Sequence, residues 1–141
     1  MKYYTLEPEV AGGLGEDTEM DTTVHPPLVT RLHYEFADWF GDDLVESFPC
    51  FLVTAERGAQ AAEAGLNGFV LADLETTVSP EAEERLDGRQ LPPFRWLQLT
   101  GQPGTDDFGQ TPQARLVVSQ RALDLLRQGN LQNCDIEDYG D

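Results

Sequence analysis

Two segments of this 141-residue chain align without a gap: FLVTAERGAQAAEAGLNGFVLADL over 51–74 and LVVSQRALDLLRQGNLQNCDIEDY over 116–139. Only three of the 24 aligned positions are identical, pairing Val53 with Val118, Leu66 with Leu131 and Asp73 with Asp138. The pattern matches better than the identities. Each segment opens with an apolar run of strand type and ends that run on a hydroxyl residue, Thr54 or Ser119. Each then passes through a helix-like stretch and a small polar turn to a leucine, and enters a second strand-like run with Leu71 or Ile136 in the same place. Two strand–helix–strand units commit the chain to a mixed architecture.

The rest of the chain fits that frame. KYYTLEP reads as a first strand and LVTRLHYEF as a second. Between them AGGLGEDTEMDTTVHPP holds three glycines and Pro-Pro, and reads as a long loop. In DWFGDDLVESFP, Asp42 or Asp43 could cap a short helix that Pro49 stops. AERGAQAAEAG is a helix closed by Gly65, and GFVLADLE the strand after it. SPEAEERLDG has a capping Ser79, Pro80 at the first helical position and a closing Gly88, the marks of a short exposed helix. FRWLQLT is a strand with Phe94 and Trp96 set against Leu97 or Leu99. GQPGTDDFGQTPQ reads as a thirteen-residue loop. The expected fold is a single α+β domain over 1–141, a mixed sheet with a few short helices and a duplicated strand–helix–strand unit.

Composition narrows the function. Nine basic residues stand against 26 acidic ones, a net charge of −17, and Lys2 is the sole lysine. Such a field repels nucleic acid and anionic lipid and attracts basic partners. Solubility alone would also account for it. No apolar run approaches the roughly 18 residues of a membrane span, and MKYYTLEPEV has no apolar core of a secretory signal, so a cytoplasmic protein is expected. Cys50 and Cys134 lack metal-site spacing and read as reduced core residues.

No residue is marked for catalysis. Ser119 lies in VVSQR rather than a nucleophile elbow, and its twin is a threonine, so it reads as a helix cap. DFG at 107–109 has none of a kinase's companion motifs. GGLG at 12–15 lacks the lysine of a phosphate loop. Asp17, Glu19 and Asp21 have the alternation of a calcium loop, but Thr22 stands where its glycine is required and Leu28 where its closing glutamate is required. His25 and His33, eight apart across Pro-Pro, do not share a helix face. No cofactor, metal or catalytic residue is expected.

A binding role has more support. Trp39, beside Asp42 and Asp43, is either an exposed anchor ringed by negative charge or a core residue. Asp106 and Asp107 lie in the glycine-rich GTDDFG stretch, and Glu137 and Asp138 near the C-terminus. These seven residues are the candidate partner-binding set, expected to converge on one face with Trp39 at its edge.

KYY, WFGDDL…FPCFLVT, FRWLQLTG, DDFG and above all LVVSQRALDLLR…CDIEDY resemble a bacterial family first described as a domain of unknown function and now assigned to immunity proteins of polymorphic toxin systems. The resemblance lies in order and local pattern, and spans nearly the whole chain. It implies an α+β fold, no catalysis, no cofactor, and a protective role: binding a cognate toxin made by the same cell. Many such toxins act on nucleic acids and must be basic, which an acidic inhibitor complements. Two alternatives stand beside it: a small-molecule binding protein or uncharacterised enzyme, and a structural or regulatory partner of another basic protein.

Overall fold

A computed structural model describes residues 2–86 and 90–140. In chain order these form β1 (Tyr3–Glu7), β2 (Gly12–Leu14), β3 (Glu19–Asp21), β4 (Leu28–Arg31), β5 (His33–Phe36), β6 (Leu44–Ser47), β7 (Cys50–Thr54) and α1 (Ala55–Glu63). There follow β8 (Phe69–Ala72), β9 (Glu75–Val78), α2 (Pro80–Leu86), β10 (Phe94–Leu99), β11 (Phe108–Gln110), β12 (Leu116–Ser119), α3 (Gln120–Arg127) and β13 (Asp135–Tyr139). The fold is α+β. Two four-stranded sheets, in the orders β6-β7-β10-β8 and β11-β12-β1-β13, accompany a three-stranded sheet β2-β5-β9 and the β3-β4 pair.

The period-2 pattern of CFLVT organises the centre. All five residues of β7 are buried, so both faces of its sheet are covered. Phe51 and Val53 join Leu6, Leu97, Phe108, Leu116, Val118 and the apolar side of α3 in one core. Cys50 and Leu52 join Tyr34, Phe36, Phe94 and Trp96 in the other. The alternation of a strand sends successive side chains to opposite faces, which lets one strand serve two cores.

The two large sheets follow one plan. In the first, Leu97 of the inner strand β10 pairs with Phe51 and Leu71. In the second, Leu6 of the inner strand β1 pairs with Leu116 and Ile136. Phe51 with Leu116, and Leu71 with Ile136, are the partners given by the gap-free alignment of the two segments. Each sheet adds a hairpin strand outside the first, β6 or β11. The sheets differ in where the inner strand originates: β10 follows its unit in the chain, whereas β1 comes from the other end.

Helix ends follow from sequence. Ser119 Oγ accepts the Ala122 N–H at 3.2 Å and Ser79 Oγ the Ala82 N–H at 3.1 Å, each satisfying a free first-turn donor. Thr54 sits at the same N-cap position of α1, but its side chain makes no cap bond. Gly65, just past α1, has φ +77°, a conformation glycine adopts without a Cβ penalty. α2 is less exposed than expected, since Ala82 and Leu86 are buried. The expected closing residue Gly88 lies outside the described residues.

Five readings need correction. The glycine-rich stretch is not all loop: Gly12–Leu14 pairs with β5, and Glu19–Asp21 with β4. LVTRLHYEF is two strands in different sheets, with buried Leu32 between them. GFVLADLE ends sooner than read: its strand is Phe69–Ala72, and Glu75 opens the separate strand β9. Neither Asp42 nor Asp43 caps a helix. Leu44 and Val45 are fully buried in opposite cores, and that alternation makes the segment the strand β6. Phe108–Gln110, read as loop, pairs with β12 as β11.

Candidate functional site

The residues expected to form an acidic face divide into fasteners and surface groups. Asp42 is fully buried. Its carboxylate accepts the Gln132 and Asn133 amides at 3.1 and 2.8 Å and the Asn133 side chain at 3.0 Å. Asp43 Oδ1 accepts the Thr54 hydroxyl at 2.9 Å, and its Oδ2 the Asn130 amide at 2.7 Å. Asp107, also buried, accepts the Ser119 hydroxyl at 2.7 Å and the Asn67 amide at 3.0 Å. A carboxylate taken out of water needs such donors. Asp42 and Asp107 are therefore corrected from exposed contact residues to internal ones.

The Asp43 and Asp107 clasps match. Each precedes the outer hairpin strand of its sheet and bonds the hydroxyl residue before that sheet's helix. Each also reaches the helix-to-strand turn of the other unit: Asp43 takes Asn130, after α3, and Asp107 takes Asn67, after α1. The backbone repeats the crossing, with Asp43 N–H donating to Asn130 O at 2.8 Å and Phe108 N–H to Asn67 O at 3.1 Å. The two units are thus tied reciprocally at both ends of the shared core.

Trp39 is half-buried, packs edge-on against Phe94 at 6.2 Å, and donates its Nε1–H to Asp42 O at 3.0 Å. The core reading of Trp39 is the one its contacts support. Asp106 is half-buried and accepts the Gln102 amide at 2.7 Å. Glu137 and Asp138 are exposed on β13. The seven residues are not all surface groups on one face.

A cleft of about 510 Å³ lies beside the second clasp and is lined by Tyr3, Thr105, Asp107, Ser119, Gln120 and Arg121 among others. Arg121 grips Asp107 at both carboxylate oxygens, 2.8 and 2.6 Å. The guanidinium, with Ser119 and the Asn67 amide, overcomes burial and holds the Asp107 carboxyl down at about 2. Such a group is a fixed anion rather than a base for the Ser119 hydroxyl. Arg121 escaped the sequence reading; its place two residues after the helix cap was the available signal.

Elsewhere Asp17, His33 and Glu75 bring ligand-type atoms within 4.8 Å of one another. His33 Nδ1 accepts the Asp17 amide at 3.2 Å, and Nε2 bonds Thr77 Oγ1 at 2.7 Å, so both ring nitrogens are engaged. Glu9, also missed in the sequence, is buried and accepts the Phe40 and Asp42 amides at 2.6 and 3.3 Å. Burial raises its pKa against those bonds. Burial also lifts Glu46 to about 7, with nearby Glu7 adding to the shift. Both cysteines are free thiols, pushed by burial to about 12, and so are poor nucleophiles. Among the described residues no helix is long and apolar enough to cross a membrane.

Comparison with protein-family models and with curated proteins finds no match to this chain.

Proposed function

We propose that this chain is an immunity protein, which binds and neutralises a basic toxin through the acidic outer face of β1 and β13. One observation carries the reading. Glu7 stands directly opposite Asp135 in the β1–β13 register, and Glu137 lies one side-chain step further along the same face. Like charges directly opposite in a sheet are destabilising. Arg115 approaches Glu7 at 3.4 Å but pairs with neither Asp135 nor Glu137 among the described residues. A cationic partner surface would relieve that repulsion, and the net charge of −17 would steer it there. Tyr3 and Tyr139, paired at the end of this face, add aromatic area.

The cleft beside Arg121 supports a small-molecule or enzyme reading less well, because its carboxylate, hydroxyl and guanidinium are spent on one another. The test is co-expression with the C-terminal domain of a large secreted protein encoded next to this chain's gene, if the neighbourhood holds one, read as growth, together with association kinetics at several salt concentrations. Protection from killing, and an association rate that falls with salt and on Asp135→Lys plus Glu137→Lys, are expected. Absence of protection, or association indifferent to both salt and charge reversal, would overturn the proposal.

A further inference from the structure

The two sheets end in equivalent edge strands that are guarded very differently. The alignment that equates Leu71 with Ile136 equates Val70 with Asp135 and Ala72 with Glu137. β13 therefore carries charge along its edge, a common way to prevent pairing with another chain. β8, Phe69–Ala72, is uncharged, has no proline, and leaves Val70 49% exposed. Its start is closed by a corner in which the Phe108 amide donates to Asn67 O and the Thr100 and Gly101 amides to Gly68 O. Beyond that corner, the contact made with β8's backbone from outside its ladder, among the described residues, is the Arg95 guanidinium, on Leu71 O at 3.2 Å and Ala72 O at 3.3 Å. Among the described residues, Leu71 N–H and the Phe69 backbone make no hydrogen bond outside the ladder.

We infer that the β8 edge is a docking rail for an extended segment of a basic protein, added as a fifth strand to the sheet β6-β7-β10-β8. Strand addition supplies main-chain hydrogen bonds to an open edge, and alternate side chains then set specificity. Charge selects the occupant. A second copy would bring another −17 to the same place. A basic segment instead meets Asp106, whose Cβ packs beside Gly101 and Gly68 at the start of the strand, and Asp73, whose side chain is 99% exposed at its end. Arg95 lies 3.5 Å from Asp73 and partly offsets that end. Four residues span roughly 13 Å, so the fitting segment is a short β-branched run with a cation at each end. The partner is taken to be the basic protein of the functional proposal, and in that respect the inference rests on it.

The probe is the peptide Lys-Lys-Val-Thr-Val-Thr-Val-Lys-Lys, compared with its glutamate counterpart and with a backbone N-methylated version. Amide hydrogen exchange of the intact chain should slow at Leu71 with the basic peptide alone. Val70→Lys, at an exposed position, should weaken peptide binding about tenfold or more by placing a like charge on the rail while leaving the unfolding midpoint in place. Protection confined to β13, equal binding of the acidic peptide, or binding untouched by N-methylation or by Val70→Lys would overturn the inference. So would a dimer in light scattering that Val70→Lys dissolves, since the occupant would then be a second copy. Growth protection that persists unchanged in Val70→Lys would sink the rail as the toxin contact and leave the immunity reading standing. Loss of the immunity reading itself would show as a wild-type chain that binds the peptide yet protects no cell.

Discussion

Ser119 holds Asp107 by two bonds, its amide donating to the aspartate's carbonyl at 2.9 Å and its hydroxyl to the carboxylate at 2.7 Å. The same hydroxyl accepts the Ala122 amide and caps α3. Thr54 makes the matching pair of bonds to Asp43 at 2.8 and 2.9 Å, but caps nothing. Ser119→Ala should therefore cost about 2 kcal/mol, combining a cap with a buried charged hydrogen bond, and Thr54→Ala about 1 kcal/mol. Urea unfolding decides the order, and a Thr54 variant as costly as the Ser119 one contradicts the asymmetry.

Asp107→Asn should destabilise by about 2–3 kcal/mol, because it weakens charge-assisted bonds to Arg121, Ser119 and the Asn67 amide. The sign of the pH effect follows from a folded-state value near 2 against an unfolded value near 3.9. The stability from this group is complete above about pH 4 and disappears as pH falls through 4 towards 2. The asparagine variant should consequently show a shallower acid limb in unfolding midpoint against pH. A limb as steep as wild type would assign acid unfolding to other carboxylates.

Glu46 acts in the opposite sense. Its folded value near 7 exceeds the unfolded value near 4.3, so the native state binds more protons between those limits and loses stability as pH rises through them. Glu46→Gln should match wild type at about pH 4 and exceed it at pH 8. Glu9 is raised too, so some slope should remain. Equal stability of variant and wild type at pH 8 would show that Glu46 is not strained when ionised.

The elements read from sequence are those whose cause is local. The buried run CFLVT, the Ser119 cap and the glycine after α1 each decide their own conformation within a few residues. The matched segments also carried the register of two sheets, since Leu71 and Ile136 occupy the same slot. KYYTLEP was legible as the strand β1, but its inner place in the second sheet was out of reach, because nothing in that stretch says which partners flank it. The acidic residues failed for a similar reason. Whether a turn aspartate faces water or an amide depended for Asp42 on Gln132, 90 positions away. Glu137 and Asp138, on an edge strand, stayed on the surface.

Gly12 and Gly13 are neighbours on β2 with opposite demands. A Cβ at Gly12 would fall 2.0 Å from Glu35 O and 2.9 Å from Phe36 Cα, both backbone atoms of the paired strand β5. A Cβ at Gly13 meets nothing within 4 Å. The close approach lets β2 lie against β5, where Phe36 is buried in the second core. Gly12→Ala must push the strands apart or shift β5, at a cost of about 1–3 kcal/mol, as for overpacking generally. Gly13→Ala has room and gives up only the backbone freedom of the unfolded chain, so it should leave stability unchanged or raise it by up to about 1 kcal/mol. Thermal unfolding of the two alanine variants separates them. Equal behaviour would show that β2 is not held against β5 in solution, and with it that the glycine-rich stretch behaves as the loop its composition suggests.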